Sequence, residues 1–495
     1  MTATAVPRPA GPVGEDQASA SMVSEIDLPL VVDVDGTLLR TDLLHESLLL
    51  LLWQRPWCLF LLPFWLLRGR AALKREIARR VSLDIDSLPV HAGLLDWLTA
   101  QHAAGRRLAL FSASDQLLIE PLARRFGIFD LVIGSDGATN LKGKAKHAAI
   151  CERLGARFAY AGDSRHDIPI WLECGVAVLA GNTARLQQRL PASVRVAGRF
   201  DATRVGPASL LRALRLHQWA KNLLVVVPLL LSGKVGDPDL VFASIRAFLA
   251  FGLMASGSYL INDLFDLAAD RRHRSKRHRP FASGDLPIAA GIIAVPLIFA
   301  AMAAILVTLP PAFSVAAGLY LIVTFAYTAR LKLVPILDML VLAFLFTLRL
   351  VAGIAAVGTA VSPWLLTFSM LFFLSLACIK RYTECHSAAD GALLPGRGYR
   401  AGDAAWLMAM GAAAGFSSTI VFFLYLVDPA SPMQQYPTPQ WLWPICAILA
   451  YWLCRAWLLA VRGEMEDDPV LFAVRDRASF WLGALSVLAV VLAHF

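Results

Sequence analysis

The sequence predicts two domains of different class. An N-terminal α/β domain with a parallel sheet and a helical cap is followed by an all-α domain that crosses a membrane about nine times. Three observations predict this. Short β-type runs alternate with helical stretches over residues 29–200, the pattern of a parallel sheet with covered faces. Long apolar runs dominate from residue 221 onward, in a chain of 495 residues that is 57% hydrophobic and 17% charged; that balance is expected of an integral membrane protein. Basic residues collect in alternate loops between those runs, as the positive-inside rule requires.

The first 25 residues are rich in Ala, Pro, Gly and Ser and contain no apolar run. They read as a disordered tail rather than a signal peptide. The α/β domain is expected over 26–205. Its strands read as 29–36, 107–114, 131–135, 158–163 and 176–180, and its cap fills about 41–105. Within the cap, residues 48–68 approach the length of a membrane span but are interrupted by Arg55-Pro56 and Pro63. Two readings stay open: an apolar face lying on the bilayer, or a buried helical hairpin. The membrane domain is expected over 206–495. Its apolar runs fall near 220–232, 240–262, 287–308, 311–329, 336–358, 364–380, 405–427, 441–461 and 478–494. Loops 270–285, 330–332, 380–400 and 462–477 are basic, whereas the intervening loops share one lysine, Lys234. This arrangement predicts a multi-pass protein of the cell inner membrane with its N-terminal domain in the cytoplasm. The same basic loops account for the net charge of +9, so no nucleic-acid partner is implied. Seven unpaired-looking cysteines fit a reducing compartment. Oligomeric state is not set by the sequence; a homo-oligomer is compatible with it.

Two groups of residues carry chemistry. Asp33 and Asp35 follow the first β-type run in Asp-Val-Asp-Gly-Thr. A carboxylate at a strand end can attack phosphorus, and a second one two residues later can protonate the leaving oxygen and then activate water. Ser112 ends the next strand and can bind phosphoryl oxygens. Asp163 and Asp167 can join the first aspartates in holding Mg²⁺. A lysine is needed to neutralise the phosphoryl group, and Lys142, Lys144 and Lys146 are available. This set resembles the haloacid-dehalogenase-like phosphatases. The resemblance assigns Asp33, Asp35, Ser112 and Lys146 to catalysis, Asp33, Asp35, Asp163 and Asp167 to the metal, and a helical cap to the insertion.

The second group is Asp263, Asp266 and Asp270, at the end of an apolar run. At about 100° per residue their spacing puts all three within roughly 60° on one helix face. Carboxylates at membrane depth demand a cation, and a basic run, Arg-Arg-His-Arg-Ser-Lys-Arg-His-Arg-Pro, follows at once. Acidic residues for Mg²⁺ beside basic residues for phosphate suit a metal-diphosphate ligand. Residues 262–271 resemble the first aspartate motif of the UbiA-type intramembrane prenyltransferases, whose helical fold also agrees. The second acidic motif of that superfamily is incomplete: Asp338 is present, but Leu342 stands four residues on. The run Asp270, Arg271, His273, Lys276, Arg279, Pro280 is similar to the decaprenyl-phosphate phosphoribosyltransferase branch. So are Tyr327, Lys332, Asp338, Arg349, Lys380, Arg381 and Glu384, and the stretch beginning at Asp468.

That resemblance implies transfer of 5-phosphoribose from phosphoribosyl diphosphate to a polyprenyl phosphate. Asp263, Asp266 and Asp270 would act with Mg²⁺. Asn262, Arg271, Lys276, Arg279, Tyr327, Lys332, Asp338, Lys380 and Arg381 would bind substrate. From its place at a helix start, Asp338 would equally serve as a helix cap. The fused phosphatase would then dephosphorylate the phosphoribosyl-lipid product. Two alternatives are an aromatic prenyltransferase using a polyprenyl diphosphate, and a lipid transporter or scaffold carrying a regulatory phosphatase-like domain.

Overall fold

The structure, a computed structural model, describes residues 28–201, 206–387, 393–394, 397–465 and 469–494. The expected tail at 1–25 and Asp468 lie outside the described residues. The chain forms two compact units: residues 1–214 with 259–294, and residues 215–258 with 295–495. The acidic motif and its basic loop thus pack with the α/β domain, across the boundary at 205/206 read from the sequence.

In the first unit, strands β1 (Leu30–Val32), β2 (Leu108–Asp115), β3 (Leu131–Ser135), β4 (Ala159–Gly162), β5 (Val176–Gly181) and β6 (Arg195–Asp201) form one sheet in the order β3-β2-β1-β4-β5-β6. Every pairing is parallel. β1 is wholly buried, as both-faces-covered strands must be. It has neighbours from opposite directions of winding, so its carboxyl end is the switch point where such sheets place their chemistry. β6 was not expected from the sequence. It is an edge strand with half-exposed alternation, which lacks the continuous apolar run by which the other strands are read.

Between β1 and β2 lie helices Leu43–Gln54, Leu62–Leu67, Arg70–Ala78 and Ala92–Ala103. The last buries Leu94 and Leu98 in the sheet core. Residues 48–68 do not form one span. A 3-10 turn at Pro56–Phe60 separates two helices, because proline removes a donor and fixes φ. Leu51, Cys58 and Trp65 pack with Ile77. The opposite face leaves Trp53, Trp57, Phe60, Phe64 and Leu67 exposed, with Phe60 at 75% and Leu67 at 84%. A closed hairpin would cover these rings; an apolar face set against a bilayer leaves them open.

Among the described residues of the helical part, seven helices are long and apolar enough to cross a membrane: Pro238–Phe265, Ile288–Leu306, Pro311–Ala329, Leu337–Val357, Pro363–His386, Ala401–Val427 and Pro439–Val461. The other two expected spans are shorter. The run near 220–232 is a 3-10 helix, Leu216–Val225, followed by Val227–Leu231, and the final helix is Arg477–His494. Small residues let the long helices approach closely. A side chain at Gly411 would meet Trp457 at 2.1 Å and Cys378 at 2.6 Å. There Ser375 donates to the Gly411 carbonyl at 2.7 Å and accepts from the Trp457 indole at 3.1 Å. Gly411→Leu is therefore expected to destabilise the bundle by about 1–3 kcal/mol through overpacking. Thermal unfolding in detergent should show a lowered midpoint; an unchanged midpoint would contradict this packing.

Candidate functional site

Asp33 and Asp35 leave the end of β1, Ser112 sits near the end of β2, and Asp163 follows β4. The parallel topology thus gathers residues distant in sequence. Oxygens of Asp33, Asp163 and Asp167 lie within 4.8 Å of one another. An all-carboxylate group of this spacing suits a hard divalent cation. Of the three available lysines, Lys146 makes the ion pair with Asp33, at 2.9 Å. It also donates to the Tyr160 hydroxyl at 3.1 Å, and Tyr160 donates to Asp167 at 3.0 Å. Burial raises the Asp33 pKa, partly offset by Lys146. Burial would pull Lys146 down, but Asp33 and Asp167 outweigh it and hold the ammonium above its ordinary value. Asp163 is pushed well up by burial and then by Asp167 and Asp33, a cluster that a bound cation would relieve.

Asp35 stands apart from the other three aspartates. Its carboxylate is not part of the metal-spaced group. It accepts from the Leu43 N–H at 2.8 Å and from the Ser114 hydroxyl at 2.6 Å. Burial, then the nearby Asp42 charge, raises its pKa to about 7. That environment suits an acid–base group better than a ligand. Ser112 is 3.4 Å from Asp35 and accepts the Ser114 N–H at 3.0 Å. The sequence reading missed Ser114 and Tyr160. Both lie on the same strands as motif residues, which is the one signal that could have found them. Gly36 has φ +79°, and a Cβ there would stand 2.2 Å from Asp163, so only glycine fits the turn.

The acidic motif at 263–270 is not one continuous helical face. The membrane helix ends at Phe265, and Asp266 precedes a new helix, Leu267–Arg272. Asp263 and Asp270 are buried, while Asp266 is exposed. Arg279 bridges the buried pair, reaching Asp263 at 3.1 Å and Asp270 at 2.6 Å. Lys276 is exposed and Asn262 half-buried. Arg271 does not face this pair. It is buried against Glu46 of the cap, with one contact at 3.2 Å, and donates to the Ala282 carbonyl at 3.1 Å. Arg40 pairs with Asp285 at 2.7 Å and Arg272 with Asp84 at 2.6 Å. Three ion pairs therefore tie the motif loop to the α/β domain, and the sequence signals none of them because partners lie up to 245 residues apart.

In the second unit, Asp338 is fully buried. It accepts from Tyr327 at 2.7 Å, from Arg381 at 3.1 Å and from Arg397 at 3.2 Å. Asp338 does not cap its helix, whose N-cap is Ile336 with no side-chain cap bond. Arg381 also grips Glu384 with contacts of 2.7 and 2.6 Å. Arg397 was missed; it sits in a loop where a basic residue reads as topology. Lys332 and Lys380 are half-buried. An apolar cavity of about 370 Å³ is lined by Leu223, Leu224, Phe372, Leu376, Leu449 and Trp452, among others.

Comparison with known proteins gives the class. The UbiA prenyltransferase family matches residues 222–484 and the haloacid dehalogenase-like hydrolase family matches residues 30–171. The chain belongs to the UbiA prenyltransferase family, carries an N-terminal haloacid dehalogenase-like domain, and is a multi-pass membrane protein. It is 38% identical over 470 residues to the uncharacterized protein y4nM of Sinorhizobium fredii, covering 94% of this chain and 91% of that one. It is 36% identical over 271 residues to the nodulation protein NoeC of Azorhizobium caulinodans, covering 54% and 87%. The decaprenyl-phosphate phosphoribosyltransferase of Corynebacterium glutamicum is 35% identical over 179 residues, covering 35% of this chain and 54% of that relative.

Asp163→Asn removes one ligand from the oxygen cluster. Titration with Mn²⁺ followed by electron paramagnetic resonance should show about tenfold or greater weakening at this site, as loss of metal-site support generally brings. Equal affinity in both proteins would place the ion elsewhere.

Proposed function

We propose that the chain transfers 5-phosphoribose from phosphoribosyl diphosphate to a polyprenyl phosphate, and that the N-terminal domain then removes the 5-phosphate from that lipid. The observation that carries the first step is the Asp263–Arg279–Asp270 group, in which acidic and cationic side chains meet at a helix end. A divalent cation, Mg²⁺ in this reading, would be held by Asp263, Asp270 and the exposed Asp266, and would supply charge neutralisation to a departing diphosphate. Arg279 and Lys276 would take up charge building on that group. The acceptor phosphate oxygen forms a bond to ribose C1 as the C1–O bond to diphosphate breaks, and diphosphate leaves with the electron pair. The acceptor is already ionised, so no strong base is required. Asn262, Tyr327, Lys332, Lys380 and Arg381 remain proposed substrate-binding residues; Asp338 would orient Tyr327 and Arg381. The prenyl chain would use an apolar groove such as the one lined by Phe372 and Trp452. Similarity to named phosphoribosyltransferases over part of their length supports this reading.

For the second step, Asp33 would attack the 5-phosphate while Asp35 gives its proton to the ribose oxygen. Asp35 would then take a proton from the water that hydrolyses the aspartyl phosphate. Lys146 and Ser112 would hold phosphoryl oxygens. Both sites would face the cytoplasm at the inner membrane, in accord with the basic loops.

Purified protein supplied with labelled phosphoribosyl diphosphate and polyprenyl phosphate should yield labelled lipid, and Asp263→Asn should abolish it. Absence of labelled lipid from the wild-type protein, with transfer of a prenyl group to an aromatic acid instead, would overturn the proposal.

A further inference from the structure

We propose that the phosphatase pocket contains a second anion subsite, built on Lys74 with Arg70 and Lys142, that takes a second phosphate group of the substrate. This rests on the reading of the N-terminal domain as a phosphatase. The pocket around Asp33 has a volume of about 420 Å³, within the range of cavities that enclose whole small molecules. Its acidic wall is Asp33, Asp35, Asp163 and Asp167, and Lys146 on that wall is already paired with Asp33. The cap and one core loop supply further cations: Arg70 and Lys74 from the cap helix, and Lys142 from the loop before Lys144–Leu154. Arg70 and Lys74 are four residues apart and share one helix face.

Lys74 is the informative member. It is half-buried, and its ammonium rests on two neutral oxygens, the Ala113 carbonyl and the Asn140 side chain, the latter at 2.9 Å. An ammonium has three donors, so one remains for a ligand. No carboxylate pairs with it among the described residues; Asp35 and Asp42 act on it only through space. Burial accordingly pulls its pKa below the ordinary lysine value. A desolvated cation held by neutral acceptors in an open pocket is stabilised when an anion arrives. Ala113 lies between Ser112 and Ser114, so the subsite borders the reaction centre without belonging to the aspartate cluster. A substrate with two phosphates joined through a small sugar matches this division. One phosphate goes to Asp33 and the other to the cap cations. The phosphodiester of a phosphoribosyl lipid and a free second phosphate share this chemistry.

The test uses full-length protein in detergent and measures phosphate release from ribose 5-phosphate and from ribose 1,5-bisphosphate. A charge-assisted contact predicts that wild-type kcat/KM favours the bisphosphate by about tenfold to a hundredfold. Lys74→Met should collapse that ratio toward unity, mainly through KM for the bisphosphate, and Lys74→Arg should keep most of it. A wild-type ratio near one, a ratio that survives Lys74→Met, or equal loss on both substrates would overturn the subsite and leave the phosphatase reading standing. Equal loss would mean that Lys74 serves the transferred phosphate itself. Failure to release phosphate from either compound, or from the phosphoribosyl lipid, would remove the phosphatase reading and the subsite together.

Discussion

A carboxylate taken out of water needs a cation or a proton, and four carboxylate clusters in this protein meet that need with a cation. Asp33 has Lys146, Asp263 and Asp270 have Arg279, Asp338 has Arg381 with Arg397, and Glu46 has Arg271. The four groups differ in what could replace the protein cation. Asp33 stands with two further carboxylates at metal spacing, so charge there exceeds what one lysine neutralises. Arg279, which pairs with both Asp263 and Asp270, is itself partly exposed, at 27%. Asp338 and Glu46 are held by fully or nearly buried guanidinium groups. Those two pairs fix architecture: one anchors Tyr327 and Arg381, the other fastens the acidic motif to the cap of the α/β domain.

Much of this was legible in the sequence where the signal is local. Apolar runs marked five strands and the long helices, and the aspartate motifs marked the two acidic clusters that the structure describes. What was not legible depends on distance or on a break in periodicity. The edge strand Arg195–Asp201 has polar alternation. Asp266 interrupts the helix at which three carboxylates were expected on one face, so the motif presents two buried acids and one exposed acid. Arg271 reads as a phosphate ligand by its neighbours, yet its partner Glu46 lies far upstream. Ser114, Tyr160 and Arg397 act through tertiary contacts that no spacing announces. Lys146 was set apart from Lys142 and Lys144 by the family resemblance, and in the structure it is the one of the three that pairs with Asp33.

The cap touches both acidic groups. Its inner side supplies Glu46 to Arg271 of the acidic motif and Lys74 to the pocket around Asp33, and its outer side exposes Trp57, Phe60 and Phe64. In a multi-pass membrane protein, an exposed apolar face of this kind is suited to a bilayer surface.

The central claim is that one lipid passes through both reactions. Mass spectrometry of lipids formed from polyprenyl phosphate and phosphoribosyl diphosphate tests it most directly, with wild-type and Asp33→Asn proteins side by side. The account predicts ribosyl lipid without the 5-phosphate from the wild type and phosphoribosyl lipid accumulating with Asp33→Asn. The same phosphorylated lipid from both proteins would contradict it.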